Sequence, residues 1–243
     1  MSGEYELPPV CILAGGKGTR LGTRVQDTPK PLLEVAGQPF LLHQLKLLAA
    51  HGATQAVICV GYLGERIEQT IGQNRFGVQI SYSYDGPGLD GTLGAIRRAA
   101  SHLGRRFLVL YGDTYLRIDY RAVARSWEHS GLSALMTVLR NEGRWDISNV
   151  RFDGSRVLSY DKRRPHADME WIDYGLGGLT AAALDPSTEQ MHDLSELQHV
   201  LAARGELFGY AAPERFYEIG TPAGLAETES FLRSLETQAT RDA

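Results

Sequence analysis

The chain has 243 residues, of which 43% are hydrophobic and 22% charged, and its formal net charge is −4. The hydrophobic and charged fractions are ordinary for a globular protein with a substantial core. The negative net charge provides no positive electrostatic field to attract nucleic acid. No apolar run approaches the ~20 residues of a membrane span, and no basic segment followed by an apolar core marks a signal peptide. Cys11 and Cys59 fall within apolar runs, which predicts buried free thiols and a cytoplasmic protein.

The first half of the chain alternates short apolar runs with amphipathic segments. Bounded apolar runs rich in β-branched residues predict buried strands, and strands that alternate with helices favour βαβ units. We therefore expect a mainly parallel sheet, covered on both faces and joined by right-handed crossovers. The predicted strands are 10–13, 56–60, 78–82 and 107–111, and the predicted helices are 39–50, 64–71, 92–103 and 120–129.

The alternation continues for one more strand, at 133–139, and then breaks. Asp153-Gly154 lies between two strand-like segments, 149–152 and 156–160, and predicts a β-hairpin. The polar tail from Thr237 is expected to fray. Further strands are predicted at 172–183 and 207–211, and helices at 195–203 and 222–235, the last with a proline in its first turn.

A glycine-rich loop, GGKG at 15–18, follows the first predicted strand. Glycine lets the backbone take positive φ and approach a ligand closely, and successive free N–H groups form an anion-binding concavity. Lys17, Arg20 and Lys30 add positive charge that suits phosphate oxygens. We interpret the segment as a triphosphate cradle. A tight strand-to-helix turn would explain the glycines but not the three cations.

Two better-known phosphate-binding loops do not match this segment. The phosphate-loop pattern requires Gly-Lys followed by Ser or Thr, and no such run occurs. The dinucleotide pattern requires a third glycine where Leu21 stands. It also requires an acidic residue after the second strand, where Val60 is followed by Gly61.

The run LAGGKGTRL at 13–21, followed by PKPL at 29–32, resembles the signature of the sugar-1-phosphate nucleotidyltransferases, with Thr23 where that family usually has proline. The resemblance implies an α/β fold, a Rossmann-like three-layer α/β/α sandwich with a mixed, mostly parallel central sheet. It implies one domain over 1–243, with a nucleotide-binding half over about 1–130 and a sugar-binding half over about 131–236. An NTP and a sugar 1-phosphate are the implied substrates, NDP-sugar and pyrophosphate the products, and a homo-oligomer is left open.

Two acidic residues are the candidate metal ligands. Asp113 follows a buried strand at the sheet edge where α/β proteins bind ligands, although an aspartate there can also cap a helix. The resemblance makes Asp113 a metal ligand. The segment FYEIGTP at 216–222 resembles the family segment that supplies a second aspartate, so Glu218 takes that place unless it is a surface glutamate. Mg²⁺ suits this pair, because it takes one or two carboxylates plus substrate phosphates. Such chemistry needs positioning and charge neutralisation rather than a general base; the candidate catalytic residues are Arg20, Lys30 and Asp113.

The resemblance assigns the nucleotide to the glycine loop and to DGPGLDGT at 85–92, which resembles the loop that holds the base. No glutamine in that loop marks the site for uracil or thymine. The candidate nucleotide-binding residues are Leu13, Ala14, Gly15, Gly16, Lys17, Gly18, Thr19, Asp85, Gly91 and Thr92.

Three segments of the second half resemble the sugar side of the family. Asp161-Lys162 resembles a Glu-Lys pair, although KRR at 162–164 could be a solvated charge run. DYGL at 173–176 matches Asn-x-Gly-Ile/Leu with Asp for Asn, and Asp146 sits near where relatives often use glycine. Three carboxylates near one pocket would favour a sugar with several free hydroxyls or an amine. The alternative is that Asp146 or Asp173 pairs with an arginine, Arg144 or Arg163. The candidates are Asp146, Asp161, Lys162, Asp173 and Gly175.

The chain most resembles short heptose-1-phosphate guanylyltransferases, so D-glycero-D-manno-heptose 1-phosphate and GTP are the most specific expectation. Uridylyl or other nucleotidyl transfer to a hexose 1-phosphate is the alternative within the family. A glycosyltransferase of related fold would need a second aspartate where Tyr115 stands. A non-catalytic nucleotide-sugar sensor would not need to keep every charged position.

Overall fold

The computed structural model describes residues 5–16, 18, 21, 28–86, 91–185 and 190–241. The strands are β1 (Val10–Leu13), β2 (Glu34–Val35), β3 (Gln38–Pro39), β4 (Gln55–Val60), β5 (Asn74–Arg75), β6 (Val78–Tyr84), β7 (Arg106–Tyr111), β8 (Thr114–Tyr115), β9 (Ala134–Arg140), β10 (Val150–Phe152), β11 (Val157–Tyr160), β12 (Trp171–Thr180), β13 (Leu207–Ala211) and β14 (Tyr217–Glu218). The helices are α1 (Phe40–Ala50), α2 (Gly64–Ile71), α3 (Gly91–Leu103), α4 (Tyr120–Ser130), α5 (Leu194–Ala203) and α6 (Pro222–Arg241), with 3₁₀ turns at Lys30–Leu32 and Ala181–Leu184.

The centre of the sheet is parallel and covered on both faces. Strand β1 pairs in parallel with β4 and β7, and β4 pairs in parallel with β6. Val10 and Ile12 of β1 pack with α1, α2 and α4, whereas Cys11 packs with α3 and α5 on the opposite face, as the alternation of side chains along a strand requires. The predicted three-layer α/β/α sandwich is therefore confirmed.

The second half adds mostly antiparallel strands to the same sheet. Strand β12 is antiparallel to β7 and β9, β13 is parallel to β9, and β10 and β11 form the predicted hairpin. The register of β12 against β9 shifts between Asp173 and Gly177. Gly175 within this irregularity has φ of 101°, a conformation that strongly favours glycine. Bulges of this kind re-aim side chains next to active sites.

Two boundary predictions were wrong. The strand predicted over 172–183 leaves the sheet at Thr180, and a 3₁₀ turn begins at Ala181, where the backbone N–H bonds to Arg105 O. The predicted fraying from Thr237 is also wrong, because α6 continues to Arg241. Its last turns contain strong helix formers such as Ala, Glu, Gln and Arg. Earlier in the same helix, Leu225 and Leu232 pack against the β2–β3 region.

The two cysteines are both buried and free, as expected, with their sulfur atoms 3.5 Å apart. None of the helices in the described ranges combines the length and the apolar character needed to cross a bilayer.

Candidate active site

A cavity of about 460 Å³ opens at the carboxyl ends of β1, β4, β6 and β7. Parallel strands end at this edge together, so the loops that follow them converge there. Ten of the residues predicted for the site line it: Leu13, Ala14, Gly15, Gly16, Gly18, Lys30, Asp85, Gly91, Thr92 and Asp113. Its lining also includes Pro31, Cys59, Ala95, Arg98, Tyr111, Gly112, Asp193 and Gly220. Lys17, Thr19 and Arg20 lie outside the described residues.

Lys30 and Asp113 form an ion pair at the base of the cavity, between Lys30 Nζ and Asp113 Oδ2. The Lys30 side chain is only 10% exposed and that of Asp113 28%. Lys30 begins the 3₁₀ turn after Pro29, which holds an otherwise flexible side chain in a buried position. Thr114 Oγ1 donates to the other carboxylate oxygen at 3.1 Å. A buried cation and a half-buried carboxylate are thus preset together at the strand edge, where the cation can bind a phosphate group.

Gln44 of α1 anchors the strand end that carries Asp113. Its Nε2 donates to Tyr111 O at 2.9 Å and to Thr114 O at 2.7 Å, one bond on each side of Gly112-Asp113. Gln44 is 1% exposed. Sequence reasoning missed it, because a single polar residue in an amphipathic helix carries no sign of what its amide will contact.

Glu218 reaches the same place from the other end of the chain. Strand β14 pairs with β8 so that Glu218 stands opposite Thr114, and Ile219 N donates to Asp113 O at 2.9 Å. A side chain on Gly220 would put its Cβ 2.6 Å from Glu218 Oε2 and 3.3 Å from Lys30 Nζ. Glycine at position 220 therefore leaves room for both Glu218 Oε2 and Lys30 Nζ, although Glu218 itself is not among the residues that line the cavity.

Asp113 and Glu218 are the carboxylates that could share a metal at this wall. No cluster of three or more His, Cys, Asp or Glu side chains with metal-binding geometry occurs within the described ranges. Two carboxylates fit Mg²⁺, which keeps waters and takes its remaining oxygens from substrate phosphates, better than they fit an all-protein cage.

Asp85 lies across the cavity from this group. Its Oδ2 packs against the glycine loop so closely that a Cβ on Gly15 would lie 2.7 Å away, and its backbone N donates to Val60 O. Burial raises the pKa of Asp85, while the charge of Arg98 lowers it. When ionised, the carboxylate is a hydrogen-bond acceptor beside the glycine loop.

At the far wall of the cavity, the first residues of α3 are hydrogen-bonded to the residues at the start of α5. Leu93 N donates to His192 O at 2.8 Å, and Leu194 N donates to Thr92 Oγ1 at 2.8 Å. Thr92 Oγ1 also lies 3.5 Å from Asp193 Oδ1. These contacts place Asp193 in the cavity lining. Sequence analysis did not select this residue.

On the sugar side, Lys162 and Asp173 come together. Lys162 Nζ lies 3.3 Å from Asp173 Oδ2, and the aspartate side chain is only 7% exposed. Tyr160 OH donates to the same carboxylate at 3.2 Å, and Gly175 N donates to its Oδ1 at 3.0 Å. Lys162 Nζ also sits 5.8 Å from the centre of the Tyr111 ring. Tyr111 therefore links this pair to the main cavity.

The other two predicted sugar-side carboxylates serve their own loops. Asp161 Oδ1 accepts from Arg163 N and Arg164 N, and these donors, Arg164 first, hold the pKa of Asp161 below its usual range. Asp146 Oδ1 accepts from Ile147 N at 2.7 Å, and Asp146 is exposed. The arginines suggested as alternatives pair elsewhere, Arg144 with Glu142 and Arg163 with Glu196. Of the three carboxylates predicted around one sugar, Asp173 has a buried side chain, whereas Asp146 and Asp161 bond to N–H groups of their own loops.

Comparison with known proteins identifies the family. The family described as nucleotidyl transferase matches residues 10–144. The chain belongs to this family. A nucleotidyl transferase relative, mannose-1-phosphate guanyltransferase beta-B of Xenopus laevis, is 26% identical over 218 residues, which are 87% of this chain and 61% of that protein. The chain spans about three fifths of the length of the first curated relatives it matches.

Two solved structures share the nucleotidyl transferase fold. A candidate glucose-1-phosphate thymidylyltransferase from Bacillus anthracis matches with a TM-score of 0.81 at 19% identity, over 93% of this chain and 95% of that one. HddC from Yersinia pseudotuberculosis, complexed with GMP-PN, matches with a TM-score of 0.74 at 24% identity, over 93% of this chain and all of that one.

Proposed function

We propose that this protein transfers a nucleotidyl group from an NTP to a sugar 1-phosphate, giving an NDP-sugar and pyrophosphate. The observation that carries the proposal is the Lys30–Asp113 ion pair, which lines one cavity with the glycine loop, with Glu218 opposite Thr114 on the paired strand β14. A phosphate oxygen of the sugar 1-phosphate forms a bond to the α-phosphorus of the NTP, and the bond from that phosphorus to pyrophosphate breaks.

The residues contribute positioning and charge rather than proton transfer. A sugar 1-phosphate oxygen is already ionised near neutral pH, so no general base is required, and stabilisation of phosphoryl charge is the main task. Lys30 lines the cavity and can offset this negative charge. Arg20 and Lys17 are further cations predicted from the sequence. Glycines 15, 16 and 18 leave room for the triphosphate to approach the backbone.

Asp113 and Glu218 would hold a divalent cation, which we propose to be Mg²⁺. When bound, this ion neutralises charge on the phosphates. Asp113 pairs with Lys30 Nζ. That arrangement leaves the lysine to balance part of the carboxylate charge before substrates and ion arrive.

The carboxylate of Asp85 in the cavity lining favours guanine as the base of the NTP. The pairing edge of guanine carries two adjacent donors, N1–H and N2–H, and an ionised carboxylate can accept both. Uracil and thymine present one donor between two acceptors, which an amide side chain would match better. The Xenopus relative is a guanyltransferase and the Yersinia neighbour carries GMP-PN. For the sugar we propose a heptose or hexose 1-phosphate, with D-glycero-D-manno-heptose 1-phosphate as the most specific candidate.

Binding and transfer test the two levels of this proposal separately. Calorimetric titration with GTP and UTP should give tighter binding of GTP, and Asp85→Asn should weaken GTP binding by about 10- to 100-fold while improving UTP relative to GTP. Pyrophosphate release should appear only when an NTP and a sugar 1-phosphate are both present. Asp168→Asn, which changes an exposed carboxylate paired with Arg151, is the matched control.

The pH dependence of GTP binding provides a second test of the role of Asp85. Because burial raises its pKa, the carboxylate ionises at higher pH than an ordinary aspartate. GTP affinity should therefore rise as pH increases through that raised pKa and be lost below it, across a scan from about pH 4 to pH 8. Equal binding of all NTPs by the wild type would remove the guanine proposal, and no pyrophosphate release with any sugar 1-phosphate would remove the transferase proposal.

A further inference from the structure

Tyr111 stands where the nucleotide side and the sugar side meet. It is the last residue of β7, its Cα pairs with Leu13 of the strand that enters the glycine loop, and it lines the cavity two residues before Asp113. Gln44 holds its backbone carbonyl. Lys162 Nζ lies 5.8 Å from the centre of its ring. Its side chain is therefore rigidly placed between the proposed site of phosphoryl transfer and the Lys162–Asp173 pair.

The Tyr111 hydroxyl is a donor without a protein partner. In the part of the chain that the structure describes, no hydrogen bond of this hydroxyl is found, whereas Tyr160 OH nearby is bonded to Asp173. A tyrosine hydroxyl carries its proton near neutral pH, so it can donate a hydrogen bond to a ligand in the cavity that Tyr111 lines.

The surrounding charges indicate which part of a ligand belongs there. Asp113 is paired with Lys30 and Asp173 with Lys162, so the phosphates have cations to either side of Tyr111. The Tyr111 hydroxyl carries no positive charge, so it is a poorer place for a phosphate than the two lysines. A neutral sugar hydroxyl suits it, because such a group accepts one hydrogen bond and donates another.

Asp193 is suited to accept that second bond. It lines the same cavity as Tyr111. Its position does not depend on Tyr111, because Glu196 Oε2 holds the backbone N–H groups of His192 and Asp193. A donor and an acceptor that line one cavity would together recognise one hydroxyl and reject an analogue that lacks it.

We infer that Tyr111 and Asp193 form a pair that determines sugar specificity, with Tyr111 donating to one hydroxyl of the sugar 1-phosphate and Asp193 accepting from it. This inference rests on the proposed transferase function and adds the two residues that read the sugar.

The test compares sugar 1-phosphates that differ by one hydroxyl. With GTP as donor, kcat/KM is measured for mannose, glucose and heptose 1-phosphates and for the single-deoxy analogues of the best of them. Wild type should reject one analogue by about 10²-fold or more, and Tyr111→Phe should shrink that ratio about tenfold. Asp193→Asn should shrink the ratio for the same analogue, and KM for GTP should stay unchanged in both variants. Tyr120→Phe, which removes a buried hydroxyl bonded to Leu116 O, is the control.

The results distinguish a failure of the specificity pair from a failure of the proposed transferase function. If Tyr111→Phe folds, as judged by its melting temperature, and keeps the wild-type ratio for every analogue, the specificity pair is wrong while the transferase proposal stands. If Tyr111→Phe and Asp193→Asn change the ratios of two different analogues, the shared-hydroxyl inference is also wrong. If the wild type transfers GMP to none of these sugars and no other NTP replaces GTP, the proposed function itself fails.

Discussion

The two sides of the candidate active site are built by different means. On the nucleotide side, Asp85 and Asp113 follow parallel strands whose carboxyl ends meet at one edge. On the sugar side, Asp173 sits at a register irregularity in an antiparallel strand, and Lys162 follows a hairpin. Parallel strand ends bring residues together by topology alone, whereas hairpins and bulges place side chains one at a time.

Asp113 and Asp161 illustrate the difference. Both are aspartates just beyond a strand. Asp113 reaches a buried lysine contributed from elsewhere in the chain, whereas Asp161 turns back to two N–H groups of its own loop. Asp and Asn readily make such local bonds when the chain turns, so an acidic residue after a hairpin is weaker support for a ligand site than one at a parallel strand end.

The largest effect is expected from Asp113→Asn. The amide cannot supply the negative charge proposed for the metal, although it can still accept a hydrogen bond from Lys30. We expect pyrophosphate release to fall about 10³-fold with a small change in melting temperature. A chelator should abolish the wild-type activity. Asp168→Asn should behave as wild type in the same assay, and an Asp113→Asn variant with near-normal turnover would contradict the proposed role of this carboxylate.

Glu218→Gln should lower turnover by about 10²-fold, because it neutralises the second carboxylate at the same wall. Glu218→Asp tests the length of the side chain. Gly220 leaves the space that the longer glutamate needs beside Lys30, so the shorter residue should also cost activity, by about tenfold. Steady-state turnover over a range of Mg²⁺ concentrations measures both changes. Full activity of Glu218→Asp would mean that the site is not built for the longer side chain.

Asp173→Asn moves the comparison to the sugar side and should have a smaller effect. The carboxylate holds Lys162, Tyr160 and Gly175 N, so we treat Asp173 as a positioning residue. Weakening the ion pair should raise KM for the sugar 1-phosphate about tenfold and leave KM for the NTP unchanged. A change in the preference among sugars, with no change in KM for the best one, would instead mean that Asp173 reads the sugar directly.

Asp146→Asn is the matched control for that experiment. Its carboxylate bonds only to Ile147 N among the described residues and is exposed. The kinetics with every sugar 1-phosphate should therefore stay within about twofold of wild type. A tenfold effect would restore Asp146 to the sugar site.

Much of the cavity lining was predictable from sequence, because the motifs that mark it are short and lie next to predicted strands. Glycines after a buried strand, Lys30 within PKPL and Asp113 after FLVLY each mark a strand end or its following loop. The parallel topology inferred from the alternation brings these loops to one edge. The structure accordingly brings Leu13, Gly15, Lys30, Asp85 and Asp113 to one cavity.

The residues that sequence reasoning missed depend on contacts over long chain separations. Gln44 lies 67 residues from Tyr111 and 70 from Thr114, whose carbonyls it holds. Asp193 reaches the cavity through contacts of its helix start with Thr92. No local pattern distinguishes these polar side chains from ordinary surface residues.

The sequence by itself determined the fold class and the family and predicted the chemistry of the glycine loop, because strand and helix periodicity and a long motif are properties of short segments. Tertiary structure decided which acidic side chains face the cavity. A carboxylate is satisfied equally well by nearby backbone N–H groups, as in Asp161, or by a distant cation, as in Asp113 and Asp173. Only the packing of the whole chain selects between these partners, since the cation and the space for the carboxylate come from different elements.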